Sequence, residues 1–168
     1  GVAIDKGQTK IMVIGIPDVP GKAAELFTIV ADAGANIDMI VQNTPTGSDV
    51  EDAVSDIGFT LPKSDTKKVA AALEANKAKL GFRVVEVDEE IGKLSVVGAG
   101  MRTHSGVSAT LFSALAKAGI NIEMISTSEI RISVITSDDQ VDAAARAVHT
   151  AFGLDSEIEA VVYAGTGR

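Results

Sequence analysis

Along this 168-residue chain the spacing of apolar positions switches between the period of a strand and the period of a helix, and the whole sequence of switches occurs twice. The run Ile11 to Ile16 is short, apolar and rich in β-branched residues, and it stops at Pro17-Asp18-Val19-Pro20-Gly21. That combination predicts a buried strand ending in a tight loop. Ala23, Phe27, Val30 and Ala31 follow at helical spacing, predicting a helix whose buried stripe they form. Gly34 stands where such a helix stops with a positive φ. The segments "NIDMIVQN" (36–43) and "SDIGFTLP" (55–62) predict two further strands. Ser64-Asp65 then offers an N-cap to a second helix with Val69, Leu73 and Leu80 inward. Val84 to Val87 is one more strand.

The second pass repeats the first. "AGANIDMI" (33–40) and "AGINIEMI" (118–125) are nearly one phrase, and the match extends well beyond it. Ile4-Asp5 and Lys10-Ile11 align with Val87-Asp88 and Lys93-Leu94 at an offset of 83, since 87 minus 4 and 93 minus 10 agree. Past the first strands the offset grows to 85, placing Gly21 on Gly106 and Gly34 on Gly119. Val107, Leu111, Leu115 and Ala118 repeat the helical stripe. "NIEMISTS" and "EIRISVIT" repeat the middle strands, and alignment of Ile57 with Ile130 and Asp65 with Asp138 gives a final offset of 73. Ser137-Asp138 caps the last helix, with Val141, Val148 and Phe152 inward, and Ala160 to Tyr163 is a terminal strand.

Each copy therefore reads β, β, α, β, β, α, an order whose helices return to a shared sheet as a βαββαβ unit. The fold class is α+β: two ferredoxin-like units in tandem, each an antiparallel sheet with its helices on one face. The units divide as residues 1–83 and 84–168. Val84 to Val87 either closes the first sheet or pairs with Lys93 to Gly98 in the second. In the latter case a terminal strand within 158–164 returns to the first unit and the second becomes an insertion. The insertion is favoured here, because the leading strand is itself part of the repeat.

Composition narrows the function classes. Apolar residues make up 46% and charged residues 23%, with four prolines, so the chain is expected to fold rather than stay disordered. The net charge is -8 and the basic residues are scattered, which disfavours nucleic acid as a partner. Even "AELFTIVADAGANIDMIV" is interrupted by Glu25, Asp32 and Asp38, so no membrane span is expected. The absence of cysteine and of a basic-then-apolar leader fits a cytoplasmic location.

Catalytic chemistry is sparse. His104 and His149 are the two histidines, the second on a helix face that reads as solvated, and no cluster has metal-ligand spacing. Neither a metal nor a cofactor is expected. Gly98-Ala99-Gly100 lacks the third glycine of a dinucleotide fingerprint. The loops before the first helices carry more. Gly21 and Gly106 begin helices whose free N–H groups favour an anion, and Asp18 shares the first loop, so a ligand bearing both a carboxylate and an ammonium fits there. That describes a free amino acid. Asn36 and Asn121 follow the stop glycines, and Gln42, Asn43, Ser126, Thr127, Ser128 and Glu129 are polar groups at strand ends. Asp18 in one loop against Arg102-Thr103-His104 in the other would make two related clefts chemically unequal.

The repeated "AG-x-NI-[DE]-MI", the loop "PDVPG", the string "ISTSEIRISVI" and the ending "AVVYAGTGR" together resemble the tandem ACT domains of aspartokinase. The resemblance covers essentially the whole chain and includes no amino-kinase catalytic domain. It implies a non-catalytic regulatory β subunit, a homodimer partnered by a catalytic α subunit, and threonine, with lysine as a second candidate, as feedback effectors. Carried over by position, it implies threonine around Asp18, Gly21, Ala23 and Gln42, with Asn121 and Ile122 supplied across an interface. A related pocket would use Val107, Asn36, Ile37, Ser126, Thr127 and Glu129. Two other classes remain open: an assembly module without a ligand, and an enzyme built on His104.

Overall fold

The computed structural model describes residues 1–44, 53–98 and 106–153, together with the backbone of 162–163. The chain forms two units: residues 9–89, here the inserted unit, and residues 1–8 with 90–168, the split unit.

In the inserted unit β2 (Gln8–Pro17), α1 (Lys22–Asp32), β3 (Ile40–Asn43), β4 (Val54–Pro62), α2 (Thr66–Ala75), α3 (Lys77–Leu80) and β5 (Val84–Asp88) follow in sequence. The sheet order is β3-β4-β2-β5, that of a ferredoxin-like unit. Ile11, Val13 and Ile16 of β2 and Ile57, Phe59 and Leu61 of β4 supply one sheet face, at the strand period of two. The helices cover that face with Leu26, Val30, Val69, Leu73 and Leu80. Each such side chain contributes about 1.5–3 kcal/mol on burial. The α1 stripe is rotated from the expected one: Leu26 and Val30 are buried, while Ala23 and Ala31 are exposed. Burying leucine removes more apolar area from water than burying alanine, and that decides the rotation. The expected second helix is interrupted at Asn76, whose side chain donates to the Ala72 carbonyl at 2.8 Å. Leu80 is still brought into the core.

The split unit has β1 (Val2–Asp5), β6 (Ile91–Val97), α4 (Val107–Lys117), β7 (Met124–Thr127), β8 (Arg131–Ser137), α5 (Val141–Ala151) and β9 (Val162–Tyr163). Its sheet order is β7-β8-β6-β1-β9. Leu94, Leu111, Leu115, Val134, Val141 and Val148 centre its core, joined by Val2 and Ile4 from the chain's first strand.

This topology reverses the expected insertion. β5 runs antiparallel to β2 and closes the inserted unit. β1 runs antiparallel to β6 in the position a fourth strand would take, and β9 pairs in parallel with β1 beyond it. One sheet is therefore not wholly antiparallel. The exchange is reciprocal: Ile4 faces Leu94 and Asp5 faces Lys93, while Val87 faces Ile11 and Asp88 faces Lys10. At the offset of 83 these are the same pairs with partners swapped, so each copy's leading strand completes the other copy's sheet. The burial of the two strands agrees, since β1 is buried at all four positions and β5, an edge strand bearing Glu86, is largely exposed.

The stop glycines behave as expected. Gly34 has φ 84° and Gly119 φ 72°. In both, the glycine N–H donates two residues inside the helix end, Gly34 to Ala31 and Gly119 to Ala116. The next residue donates one position further back, Ala35 to Val30 and Ile120 to Leu115, completing a Schellman motif. Two expectations change. Ile40 faces Phe59 and Ile125 faces Val134, so the late offset is 134 minus 59, or 75 rather than 73. Ile57 therefore corresponds to buried Ile132, not to Ile130, which is 53% exposed. A slip of two residues keeps the same sheet face and so preserves the apolar match. The second change concerns the caps: neither α2 nor α5 has a side-chain cap hydrogen bond. Asp65 instead pairs with Lys68 at 3.0 Å, and the Ser137 hydroxyl contacts Gln140 Oε1 at 3.2 Å.

Candidate functional site

The site of interest lies in the inserted unit, where β2 turns into α1. Gly15, near the end of β2, has φ 72°, and its N–H donates to Asp56 Oδ1 at 2.9 Å. A side chain at that position would be strained by the backbone and would meet Arg83 Cβ at 3.2 Å. Beyond it the Asp18 N–H donates to the Ala53 carbonyl at 2.9 Å, tying the loop to the start of β4. Gly21 then caps α1 with φ 92° and ψ -15°. Having no side chain, it offers no cap oxygen to the amides of Ala23 and Ala24, which lie in the turn where helical N–H groups lack intrahelical acceptors. Lys22 holds this helix start in place, its Nζ lying 3.2 Å from Glu25 Oε2 and 2.9 Å from the Lys79 carbonyl.

These pieces enclose a cavity of about 360 Å³ lined by Pro17 to Ala23 and by Gln42, Ser55 and Ile57. Asp18, Gly21, Ala23 and Gln42 are thus brought together from a loop, a helix start and a neighbouring strand. Lys22, Ser55 and Ile57 complete the wall and were not singled out from sequence. Gln42 faces Ile57 across the β3–β4 ladder and donates from Nε2 to Ser55 Oγ at 3.3 Å. Ser55 is 1% exposed and Ile57 2%. Strand alternation out of the apolar run Ile57, Phe59, Leu61 would have pointed to Ser55 on the same face. Chemically the cavity combines helix N–H donors, a carboxylate on an exposed residue, an amide, a buried hydroxyl and an apolar wall. A small zwitterion with a short side chain fits this set.

The other expected residues do not line this cavity. Asn121 and Ile122 precede β7 in the split unit, where the Asn121 carbonyl accepts from Thr136 Oγ1 at 2.7 Å and Ile122 packs on the core. Asn36 is exposed and Ile37 packs on the inserted unit's core. Val107 opens α4, Ser126 and Thr127 lie exposed on β7, and Glu129 follows it. Arg102, Thr103 and His104 fall outside the described residues. His149 is 9% exposed, against the solvated face expected of it, and its Nε2 has no partner among the described residues. A larger open groove of about 740 Å³ runs between α4 and α5, walled by alanine, serine and threonine with Lys117. Among the described residues no helix is long and apolar enough to cross a membrane.

Comparison with known proteins places this geometry. Residues 10–78 and residues 94–152 each match an ACT domain model, so the chain carries two ACT domains. It is 53% identical over all 168 residues to the aspartokinase of Mycolicibacterium smegmatis and 51% to that of Corynebacterium glutamicum, spanning 39% of the length of each. Among solved structures it is similar to the aspartokinase alpha and beta subunits, at TM-score 0.83 and 42% identity, covering 91% of this chain and 97% of that one. It is also similar to the ligand-free regulatory subunit of aspartate kinase from Thermus thermophilus, at TM-score 0.82 and 41% identity, covering 90% and 97%. The chain belongs to the aspartokinase family, matching its tandem ACT-domain regulatory part.

Proposed function

We propose that this chain is the non-catalytic regulatory subunit of an aspartokinase, working in the cytoplasm as a homodimer beside a catalytic α subunit. It binds threonine, and lysine as a second effector, and through them feedback-inhibits aspartate-family amino-acid biosynthesis. The observation that carries this reading is the convergence of Asp18, Gly21, Ala23 and Gln42 on one cavity of amino-acid size. In this account the effector carboxylate meets the amides at the start of α1, the ammonium meets Asp18, and the side chain faces Gln42, Ser55 and Ile57. Asn121 and Ile122 complete the site from a partner chain. The similarity to a structure containing aspartokinase alpha and beta subunits supports the partnership.

An effector can shift a quaternary or catalytic equilibrium only through different affinities for its two states. Isothermal titration calorimetry of the chain with threonine, then with lysine at and without saturating threonine, tests the proposal. Binding of threonine is expected, together with about 2.7 kcal/mol of added stability at about 100 times its dissociation constant. Asp18→Asn should weaken threonine about tenfold, the worth of one charge-assisted contact, with the dimer unchanged by ultracentrifugation. Absence of heat and of any melting shift with either amino acid would leave an assembly module as the better account.

A further inference from the structure

Resting on the effector reading above, we propose that Thr136 is a positioning residue, acting through the Asn121 peptide to hold the segment that reaches a partner chain's cavity. The two copies of the repeat differ at this point. By the observed offset of 75, Thr136 in β8 corresponds to Leu61 in β4, and both are fully buried. A hydroxyl thus stands where the other copy has an alkyl side chain, which costs free energy unless the hydroxyl is bonded. Thr136 Oγ1 donates to the Asn121 carbonyl at 2.7 Å, and Leu61 has no such group to offer Asn36.

This bond belongs to a set of anchors between α4 and β7. The Ile120 N–H donates to the Leu115 carbonyl at 2.9 Å and the Glu123 N–H to the Ile135 carbonyl at 2.8 Å, while Ile122 packs on the core. Thr136 fixes Asn121, the residue between them. Gln140 Oε1 lies 3.3 Å from the same hydroxyl, whose single proton goes to the shorter contact, and Gln140 Nε2 donates to the Gly119 carbonyl at 3.5 Å. The Asn121 side chain stays exposed. A fixed main chain under an exposed polar side chain suits a site completed from another chain, because ordering a loose segment on binding subtracts from affinity. The inserted unit is tied elsewhere: Thr60 Oγ1 accepts from the Met39 N–H at 3.0 Å, three residues beyond Asn36.

The test is calorimetric titration of threonine into the 168-residue chain, Thr136→Val and Thr136→Ser, and into a mixed dimer of Thr136→Val and Asp18→Asn chains isolated through different affinity tags. Thr136→Val, isosteric but without the hydroxyl, should weaken threonine about fivefold, and Thr136→Ser should stay within about twofold of the unaltered chain. In the mixed dimer one cavity joins an intact Asp18 to an Asn121 held by an intact Thr136, so half of the sites should recover the unaltered affinity. A structural role confined to Thr136's own chain would impair both cavities. Unchanged affinity in Thr136→Val, an equal loss in Thr136→Ser, or a mixed dimer without a recovered site would overturn the assignment and leave threonine sensing standing. Failure of the unaltered chain to bind threonine would overturn both.

Discussion

The helix α1, which follows β2, and the helix α4, which follows β6, occupy matching places in the repeat yet begin in different ways. Gly21 enters α1 with φ 92°, and Gly106 enters α4 with φ -96°. The sides of the two sites differ as well. Gln42, Ser55, Asp56 and Ile57 correspond by the observed offsets of 85 and 75 to Thr127, Ile130, Arg131 and Ile132. Only the apolar member, Ile57 against Ile132, is kept. Ser55 is buried on a cavity wall, whereas Ile130 is 53% exposed and precedes its strand. Duplication has therefore preserved what builds the sheet and stops the helix, and has let the polar wall beside the loop diverge. Ligand chemistry depends on the second set.

The comparison breaks most severely if a core is emptied. Phe59→Ala removes a fully buried ring that meets Phe27 edge-on at 5.7 Å, and should cost about 3–5 kcal/mol by chemical denaturation and abolish threonine binding. Leu111→Ala in the split unit should cost about 2–5 kcal/mol while removing no side chain that lines the cavity. Asp56→Ala comes next. Loss of its bond to the Gly15 amide should cost about 1.5–3 kcal/mol and weaken threonine severalfold in calorimetry. Arg131→Ala, the matching change in the other unit, should cost less than about 1 kcal/mol.

The glycine pair gives a smaller and sharper test, because a Cβ at either position meets nothing within 4 Å among the described residues and only the backbone differs. Gly21→Ala should destabilise by about 1–2 kcal/mol, the penalty of a left-handed conformation for an L-residue. Gly106→Ala should be neutral or stabilise by up to about 1 kcal/mol through the unfolded chain. A denaturation midpoint lowered equally by both would show that the two helix starts are not conformationally distinct. The smallest stability effect is expected of Asp18→Asn, within about 0.5 kcal/mol, since Asp18 is exposed and its loop is tied down through its backbone N–H.

Much of this was legible from residue order. The helix stops at Gly34 and Gly119, the strand from Ser55 to Pro62 and the placing of Asp18 and Gly21 in one loop before a helix are local matters, governed by turn chemistry and short-range period. Ser55 was harder to see, because the acidic stretch before it reads as a loop and a serine is no burial signal by type; only its alternation with Ile57 and Phe59 puts it on the inward face. His149 was misjudged for a similar reason: a polar residue on an amphipathic helix announces its type and not its neighbours. The late offset slipped by two because a β-strand presents the same face every second residue, leaving Ile57 equally content opposite Ile130 or Ile132 in a linear alignment.

What the sequence determined by itself was the set of elements, their duplication and the ends of the first helices, since these rest on propensity, spacing and the conformational freedom of glycine within a few residues. Only the tertiary structure decided that β1 joins β6 and β5 joins β2, so that each copy completes the other's sheet. Strand pairing is made by contacts between segments about 70–94 positions apart, and two leading strands of nearly the same pattern satisfy either sheet on paper. Burial on both faces for one and an exposed edge for the other separates them, and burial exists only once the chain has folded.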